Sequence, residues 1–263
     1  MKKLSLLLVA LISAVMLGAS AYAAGGHGAA VDKVHMNMSD KASLQNGAKL
    51  FVNYCLSCHS AEYSRYNRVA EDLEIPLWQL KENLMFTTEK EGDLMKTTMP
   101  VADAKAWFGV APPDLSLVAR VRSPDWIYTY LRAFYPDESS PSGWNNSLFK
   151  NVAMPHAMYE LQGVQHRVEK TGDSHGASDG HGTPTLAEGQ KVVGDTTFEL
   201  MHPGKLTPAE FDKSMADLTA FLTYMAEPAQ LQRQTIGVFT LLFLILLMLL
   251  CMLLKAEYWR DVH

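Results

Sequence analysis

Two cysteines and a histidine stand together in the segment Cys55-Leu56-Ser57-Cys58-His59. The spacing C-x-x-C-H is the attachment signature of a c-type haem, in which each thiol forms a thioether with one haem vinyl group. The imidazole of His59 would then bind the iron as its proximal ligand. The motif therefore predicts one covalent haem c, with Cys55, Cys58 and His59 as the residues that hold it.

Zinc sites and redox dithiols also use paired cysteines. The chain has only 3 cysteines, which is too few for a disulfide framework. A zinc site would normally bring a second Cys/His pair at short spacing, but the third cysteine, Cys251, lies in a long apolar segment. A thioredoxin-like dithiol belongs in a strand–helix context that the flanking sequence does not indicate. The sequence thus favours covalent haem.

The iron also needs either a sixth ligand or an open position. A thioether is a soft, neutral ligand, so it raises the reduction potential relative to a second imidazole. Among 14 methionines, Met99 and Met154 each precede a proline, which fixes the backbone after the ligand and removes a competing N–H. Their spacing from His59 does not decide between them. Met158 and His156 are further candidates.

The N-terminus has the composition of a secretory signal. Two lysines follow the first methionine, residues 4–17 form an apolar run, and residues 21–23 form a small-x-small cleavage pattern. We expect residues 1–23 to be removed on export, the alternative being a retained N-terminal anchor. Export agrees with the haem motif, because bacteria attach haem to C-x-x-C-H outside the cytoplasm.

The C-terminus has the composition of a membrane span. Residues 235–254 carry no charge, and at about 1.5 Å per residue they cover a hydrocarbon core of about 30 Å. Basic residues flank the segment and two aromatic residues follow it, as at membrane interfaces. A buried helix of a soluble protein is the alternative. We predict one transmembrane helix in the bacterial inner membrane, a periplasmic domain at 24–234 and a cytoplasmic tail at 255–263.

The segment between the two ends is long enough for a single core. Helix patterns are found at 39–60, with Ser43 as N-cap and the haem motif at the end, at 125–134, and at 207–227, which begins with a capping-box pattern. Alternating strand patterns are scarce. The predicted fold is therefore mainly α with long irregular loops.

A His/Gly-rich stretch at 165–194 is predicted to be a loop. Such tracts can bind metal, but the stretch lacks cysteine and regular ligand spacing, so a solvated insertion is favoured. The net charge of −5 suits a basic partner and argues against binding to nucleic acid.

Several stretches, taken in order, carry a family resemblance. They are 54–60 around the haem motif, 111–116 (Ala-Pro-Pro-Asp-Leu-Ser) with arginines after it, 143–146 (Gly-Trp-Asn-Asn), 152–155 (Val-Ala-Met-Pro), and the C-terminal anchor that follows Ala-Glu-Pro. Together they resemble the cytochrome c1 family, the membrane-anchored c-haem subunits of the cytochrome bc1 complex (ubiquinol–cytochrome c reductase). C-x-x-C-H occurs in all c-type cytochromes, whereas the Pro-Pro-Asp-Leu-Ser run is far more specific.

The resemblance implies a cytochrome c-like haem domain and a role for each of several residues. Met154 would be the sixth ligand, in preference to the other candidates. Arg120, the first arginine after the proline run, would pair with a haem propionate. Pro112 and Pro113 would pack near the proximal side, and Trp126 stands where some relatives have a tyrosine near a propionate.

The resemblance also implies a function. A His/Met iron has no open position, so it carries electrons and does not bind a substrate. The expected donor is a Rieske iron–sulfur protein and the expected acceptor a soluble or membrane-bound cytochrome c, within a complex that contains cytochrome b. The alternative is a mono-haem c-type subunit of a terminal oxidase or nitric oxide reductase, which would lack the Pro-Pro-Asp-Leu-Ser and Gly-Trp-Asn-Asn pieces.

Overall fold

The computed structural model describes residues 30–168 and 189–260. The signal predicted at 1–23 lies outside these ranges, and so does most of the His/Gly-rich stretch. Helices provide most of the regular structure, as predicted. The α-helices are α1 Lys41–Leu50, α2 Tyr66–Asp72, α3 Leu77–Asn83, α4 Val101–Phe108, α5 Val118–Arg122, α6 Pro124–Arg132, α7 Tyr159–Gln162, α8 Pro208–Ala226 and α9 Gln230–Tyr258.

In residues 30–168 and 189–260, the strands form three small antiparallel sheets. The first pairs β1 with β2, the second pairs β3 with β4, and the third has the order β5-β7-β6. The strands are β1 Ala61–Arg65, β2 Leu94–Met95, β3 Phe134–Pro136, β4 Trp144–Asn146, β5 Gly163–Arg167, β6 Gln190–Val193 and β7 Thr196–Pro203.

The prediction of a loop across 165–194 was wrong at both ends. Its first residues belong to β5 and its last to β6, and both strands pair with β7. The strands are short and bury few side chains, so they have no clear alternating pattern. Gly194, with φ of 63°, allows the tight turn between β6 and β7.

Helix α1 leads directly to the haem motif. It begins after Asp40, whose carboxylate accepts a hydrogen bond from the backbone N–H of Ser43 at 3.2 Å. Ser43 was therefore wrongly predicted as the N-cap, and its hydroxyl instead donates to Asp217 of α8 at 2.6 Å. After Leu50 the backbone continues as a π-helical turn, Phe51–Cys55. Single π-turns of this kind often occur at functional sites.

The other two predicted helices have the expected starts. The hydroxyl of Ser123 accepts a hydrogen bond from the backbone N–H of Trp126, and α6 then runs from Pro124. At α8, Thr207 and Glu210 form the reciprocal capping box that the sequence predicted. Both helices end one or two residues earlier than expected, which is the usual uncertainty for helix ends.

Helix α8 packs closely against α1 in the centre of the core. Gly47 makes this possible, because a Cβ atom at that position would lie 2.6 Å from Cβ of Phe221 and closer still to the carbonyl oxygen of Asp217. Phe51 and Phe221 extend the contact, with ring centroids 5.7 Å apart. The two helices therefore fix the position of the haem motif relative to the core.

We expect Gly47→Ala to lower the free energy of unfolding by about 3 kcal/mol, the upper end of the range for overpacked cores. The added Cβ would clash with the backbone of Asp217, which cannot rotate aside as a side chain can. The matched control is Gly92→Ala, where an added Cβ would meet no heavy atom within 4 Å. Thermal unfolding of the detergent-solubilised chain would measure both. Equal melting temperatures for the two variants would show that α1 and α8 can separate without cost.

Helix α9 has 29 residues and is long and apolar enough to cross a membrane. None of its side chains is buried within the described protein, so the alternative of a buried soluble helix does not apply to it. It includes the predicted span 235–254 and extends beyond it at both ends.

Candidate haem site

The π-turn and the turn after it place both thiols of the haem motif on one short segment. The backbone N–H groups of Cys58 and His59 both donate to the carbonyl oxygen of Cys55, at 3.0 and 2.8 Å. Both cysteines are free thiols; Cys55 is buried and Cys58 half-buried. Burial raises the pKa of the Cys55 thiol to about 12, so this position disfavours a charged sulfur. A neutral thioether therefore fits it.

His59 is oriented by the proline run that follows α4. Its Nδ1 lies 2.7 Å from the carbonyl oxygen of Pro113. A carbonyl only accepts, so Nδ1 carries the proton and Nε2 keeps its lone pair for a metal. Burial also lowers the pKa of His59, which favours the neutral imidazole that a metal requires.

The same loop is tied to the haem motif at two further points. The backbone N–H of Leu115 donates to the carbonyl oxygen of Ser60 at 2.8 Å, and the carboxylate of Asp114 accepts from the N–H of Glu62 at 2.8 Å. Pro112 lies between this anchored segment and α4. The structure therefore brings the Pro-Pro-Asp-Leu-Ser stretch together with C-x-x-C-H.

Met154 lies in the loop between β4 and α7, and its side chain is half-buried. The hydroxyl of Tyr130 donates to Sδ of Met154, with the two atoms 3.4 Å apart. Tyr130 was not predicted as a site residue. Its position four residues after Trp126, on the same face of α6, was the one signal that could have found it. Burial raises the pKa of the Tyr130 hydroxyl, which therefore keeps its proton.

The other three candidate ligands, Met99, Met158 and His156, each have different surroundings from Met154. Thr97, two residues before Met99, donates to the carbonyl oxygen of Ser57 at 2.7 Å, so Met99 lies beside the attachment turn itself. Met158 is buried in the main core. His156 is also buried, with its ring stacked on Phe134 at 5.0 Å. Burial lowers the pKa of His156 to about 4.

The two residues expected near the propionates differ in their surroundings. Trp126 is half-buried and stacks on Tyr130, with ring centroids 4.9 Å apart, so it belongs to the surroundings of Met154. Arg120 is exposed on α5 and forms no ion pair or hydrogen bond through its side chain with the described residues. The guanidinium of Arg122 instead lies over the Trp126 ring at 5.1 Å.

The donor set fits a covalent haem better than it fits a zinc ion. It combines two unpaired thiols in a single turn with one imidazole nitrogen that keeps a free lone pair. In the part of the chain that the structure describes, no group of three or more His, Cys, Asp or Glu residues could hold a metal ion.

Known proteins resemble the chain over nearly its whole length. Residues 196–262 match the Cytochrome C1 family model. The chain is 47% identical over 249 residues to cytochrome c1 of Allochromatium vinosum, covering 95% of this chain and 96% of that protein. It is 40% identical over 253 residues to the ammonia monooxygenase gamma subunit of Nitrosomonas europaea, covering 96% and 97% of the two chains. It is 27% identical over 243 residues to cytochrome c1 of Rhodospirillum rubrum, covering 85% of this chain and 83% of that protein.

Proposed function

Since the chain belongs to the cytochrome c1 family, we propose that it carries electrons from a Rieske iron–sulfur protein to a cytochrome c. Members of the family are membrane-anchored electron-transfer subunits of the bc1 complex and bind one covalent haem c. The proposal extends this family role to a donor, an acceptor and a set of residues in the present chain.

The residues that would hold the haem are the two thiols of Cys55 and Cys58, Nε2 of His59 and Sδ of Met154. When bound, the haem supplies an iron that gains and loses one electron. The observation that carries the proposal is the hydrogen bond from Nδ1 of His59 to the carbonyl oxygen of Pro113, which leaves Nε2 as the metal-binding atom. With both His59 and Met154 as ligands, the iron would have no position left for a substrate, and it would serve to transfer electrons.

The same ligand set argues against oxygen chemistry. The relative from Nitrosomonas europaea bears the name of a monooxygenase subunit. A monooxygenase centre needs an open position at which oxygen can bind, and a His/Met pair would leave none. The identity to cytochrome c1 of Allochromatium vinosum is also higher. We therefore assign electron transfer to this chain, and a role in a terminal oxidase or nitric oxide reductase is not favoured.

The membrane helix supports the proposed arrangement of the complex. Helix α9 would hold the haem domain at the lipid bilayer, next to cytochrome b and within reach of the Rieske protein. We propose that the domain lies on the periplasmic side, because bacteria attach haem to C-x-x-C-H outside the cytoplasm and residues 1–23 have the composition of an export signal. A weakly docked cytochrome c would then collect the electron, with complementary charge speeding the encounter.

Purification of the tagged full chain from its native membranes tests the proposal. We expect b-type haems and a Rieske protein to co-purify, and the preparation to reduce cytochrome c with electrons from quinol. A preparation that instead contains a haem–copper oxidase or a nitric oxide reductase, and lacks b-type haems with a Rieske partner, would overturn it.

We also propose that Arg120 pairs with a haem propionate, since it is a cation without a protein partner in the described chain. Arg120→Ala should then destabilise the haem-loaded protein by about 1–3 kcal/mol and lower its reduction potential, because a charge-assisted hydrogen bond is lost and a nearby positive charge disappears. The control is Arg68→Ala, which breaks a surface pair with Asp72 worth less than about 1 kcal/mol. Equal melting and equal potential in the two variants would place Arg120 in solvent.

A further inference from the structure

We propose that the hydroxyl of Tyr130 raises the reduction potential of this cytochrome by donating a hydrogen bond to the sulfur of Met154. The inference rests on the proposed function, in which that sulfur is an iron ligand. Tyr130 would not touch the iron, so it is a positioning and tuning residue that acts through Met154.

The direction of the hydrogen bond follows from the two groups. The hydroxyl oxygen of Tyr130 lies 3.4 Å from Sδ of Met154. A thioether has lone pairs and no hydrogen, so it can only accept, and the tyrosine must donate. Within the described ranges, neither atom has another hydrogen-bond partner. The hydroxyl is therefore committed to this sulfur.

The Tyr130 ring is held in place from two directions. Trp126 stacks on it at 4.9 Å with an interplanar angle of 11°, and Phe134 meets it edge-on at 5.1 Å and 72°. Arg122 covers the Trp126 ring in turn. The ring therefore cannot carry its hydroxyl oxygen away from the sulfur without breaking an aromatic stack worth about 0.5–1.5 kcal/mol.

The two partners are also linked through a buried side chain. Nδ2 of Asn146 donates to the carbonyl oxygen of Tyr130 at 2.8 Å, while its Oδ1 accepts two backbone N–H groups further along the loop. The neighbouring Asn145 accepts from the N–H of Asn151 at 2.9 Å, three residues before Met154. The Gly-Trp-Asn-Asn segment thus ties the helix that carries the hydroxyl to the loop that carries the sulfur.

The end of α6 is clamped as well. Arg132 makes a bidentate pair with Asp212 of α8, at 2.7 and 2.9 Å, and a third bond to Asp32 at 2.7 Å. The Arg132 side chain is only 8% exposed, so its guanidinium is largely shielded from solvent. Helix α6 is therefore fixed to the same helix that supports the haem motif.

A hydrogen bond to the sulfur of Met154 should raise the reduction potential, because it weakens the donation of electrons to the iron. A hydrogen bond to the sulfur withdraws electron density from the lone pairs, so the sulfur donates less strongly to the iron. Ferric iron depends on that donation more than ferrous iron does, and the reduced state becomes relatively more stable. Hydrogen bonds to ligands tune metal centres in this way, and a buried bond is not weakened by competing water.

The test is Tyr130→Phe in the assembled complex, with Tyr128→Phe as matched control. Phenylalanine keeps the aromatic stack and loses only the hydroxyl. Tyr128 lies on the same helix with its ring under Arg132, and the hydrogen bond to the sulfur comes from Tyr130 and not from Tyr128. We expect the equilibrium constant for reduction of the haem to fall about threefold to tenfold, which is about 30–60 mV at 59 mV per tenfold. The near-infrared band of methionine-bound ferric haem should shift in Tyr130→Phe and not in the control.

A second variant protects the test against poor haem loading. Replacing Tyr130 with 3-fluorotyrosine keeps the ring and makes the hydroxyl a stronger donor, so potential and band should shift in the direction opposite to Tyr130→Phe. Unchanged potential and band in both variants would overturn the inference. Met154→Leu separates the two proposals: if that variant keeps the band, Met154 is not the ligand and the proposed function loses its ligand set.

Discussion

We expect the double replacement Cys55→Ala/Cys58→Ala to leave no haem covalently attached to the chain. The two thiols lie in one turn, and both are free to form thioethers. The only other cysteine of the chain is Cys251, in the membrane helix α9. No second attachment point therefore exists near His59. Each single replacement should retain part of the haem through the remaining thioether.

A pyridine haemochrome spectrum of the denatured chain measures this directly, because only covalent haem stays with the polypeptide. Cys251→Ala is the matched control and should keep its full haem content. If the double variant kept covalent haem after denaturation, C-x-x-C-H would not be the attachment site. The assignment of His59 as proximal ligand would then fall as well, since it depends on the motif.

The haem motif could be predicted from the sequence because covalent attachment requires fixed residue types at fixed spacing. The capping box at Thr207 and Glu210 was predictable for a similar reason, since both partners are three residues apart. Motifs whose partners are close in sequence can be recognised whatever the tertiary structure around them. The N-cap of α1 shows the limit: Ser43 has the right chemistry, but Asp217 of the distant α8 takes its hydroxyl.

The surroundings of Met154 could not be predicted, because they depend on contacts between distant segments. Tyr130 and Met154 are 24 residues apart in the sequence, and the side chains of Asn145 and Asn146 hold the loop of Met154 beside the helix of Tyr130. The contact between Gly47 and α8 is likewise invisible in the sequence around Gly47. Sequence patterns thus identified the candidate ligands, while the groups that orient them required the tertiary structure.

Met154→Leu should lower the reduction potential markedly while the fold is retained. Leucine keeps most of the apolar volume, so packing should change by less than about 1.5 kcal/mol. Loss of the soft ligand that favours ferrous iron leaves the iron to take water or another side chain. The near-infrared band of methionine ligation should disappear. Buried His156 is two residues away and stacks on Phe134, so it could replace the sulfur only if the loop rearranged.

The potential decides the functional consequence of Met154→Leu. For one electron, each 59 mV changes the equilibrium tenfold, or by about 1.4 kcal/mol. A large fall makes transfer from the Rieske protein unfavourable, so quinol–cytochrome c turnover should collapse even in an assembled complex. Met99→Leu is the control, because it removes the sulfur of the other methionine that precedes a proline and leaves Met154 in place. The segment of Met99 is hydrogen-bonded to Ser57, beside the attachment turn. Suppose that Met99→Leu lost the near-infrared band and had a much lower reduction potential, while Met154→Leu kept the band and the original potential. The ligand would then be Met99, and the hydroxyl of Tyr130 would have no influence on the iron through Met154.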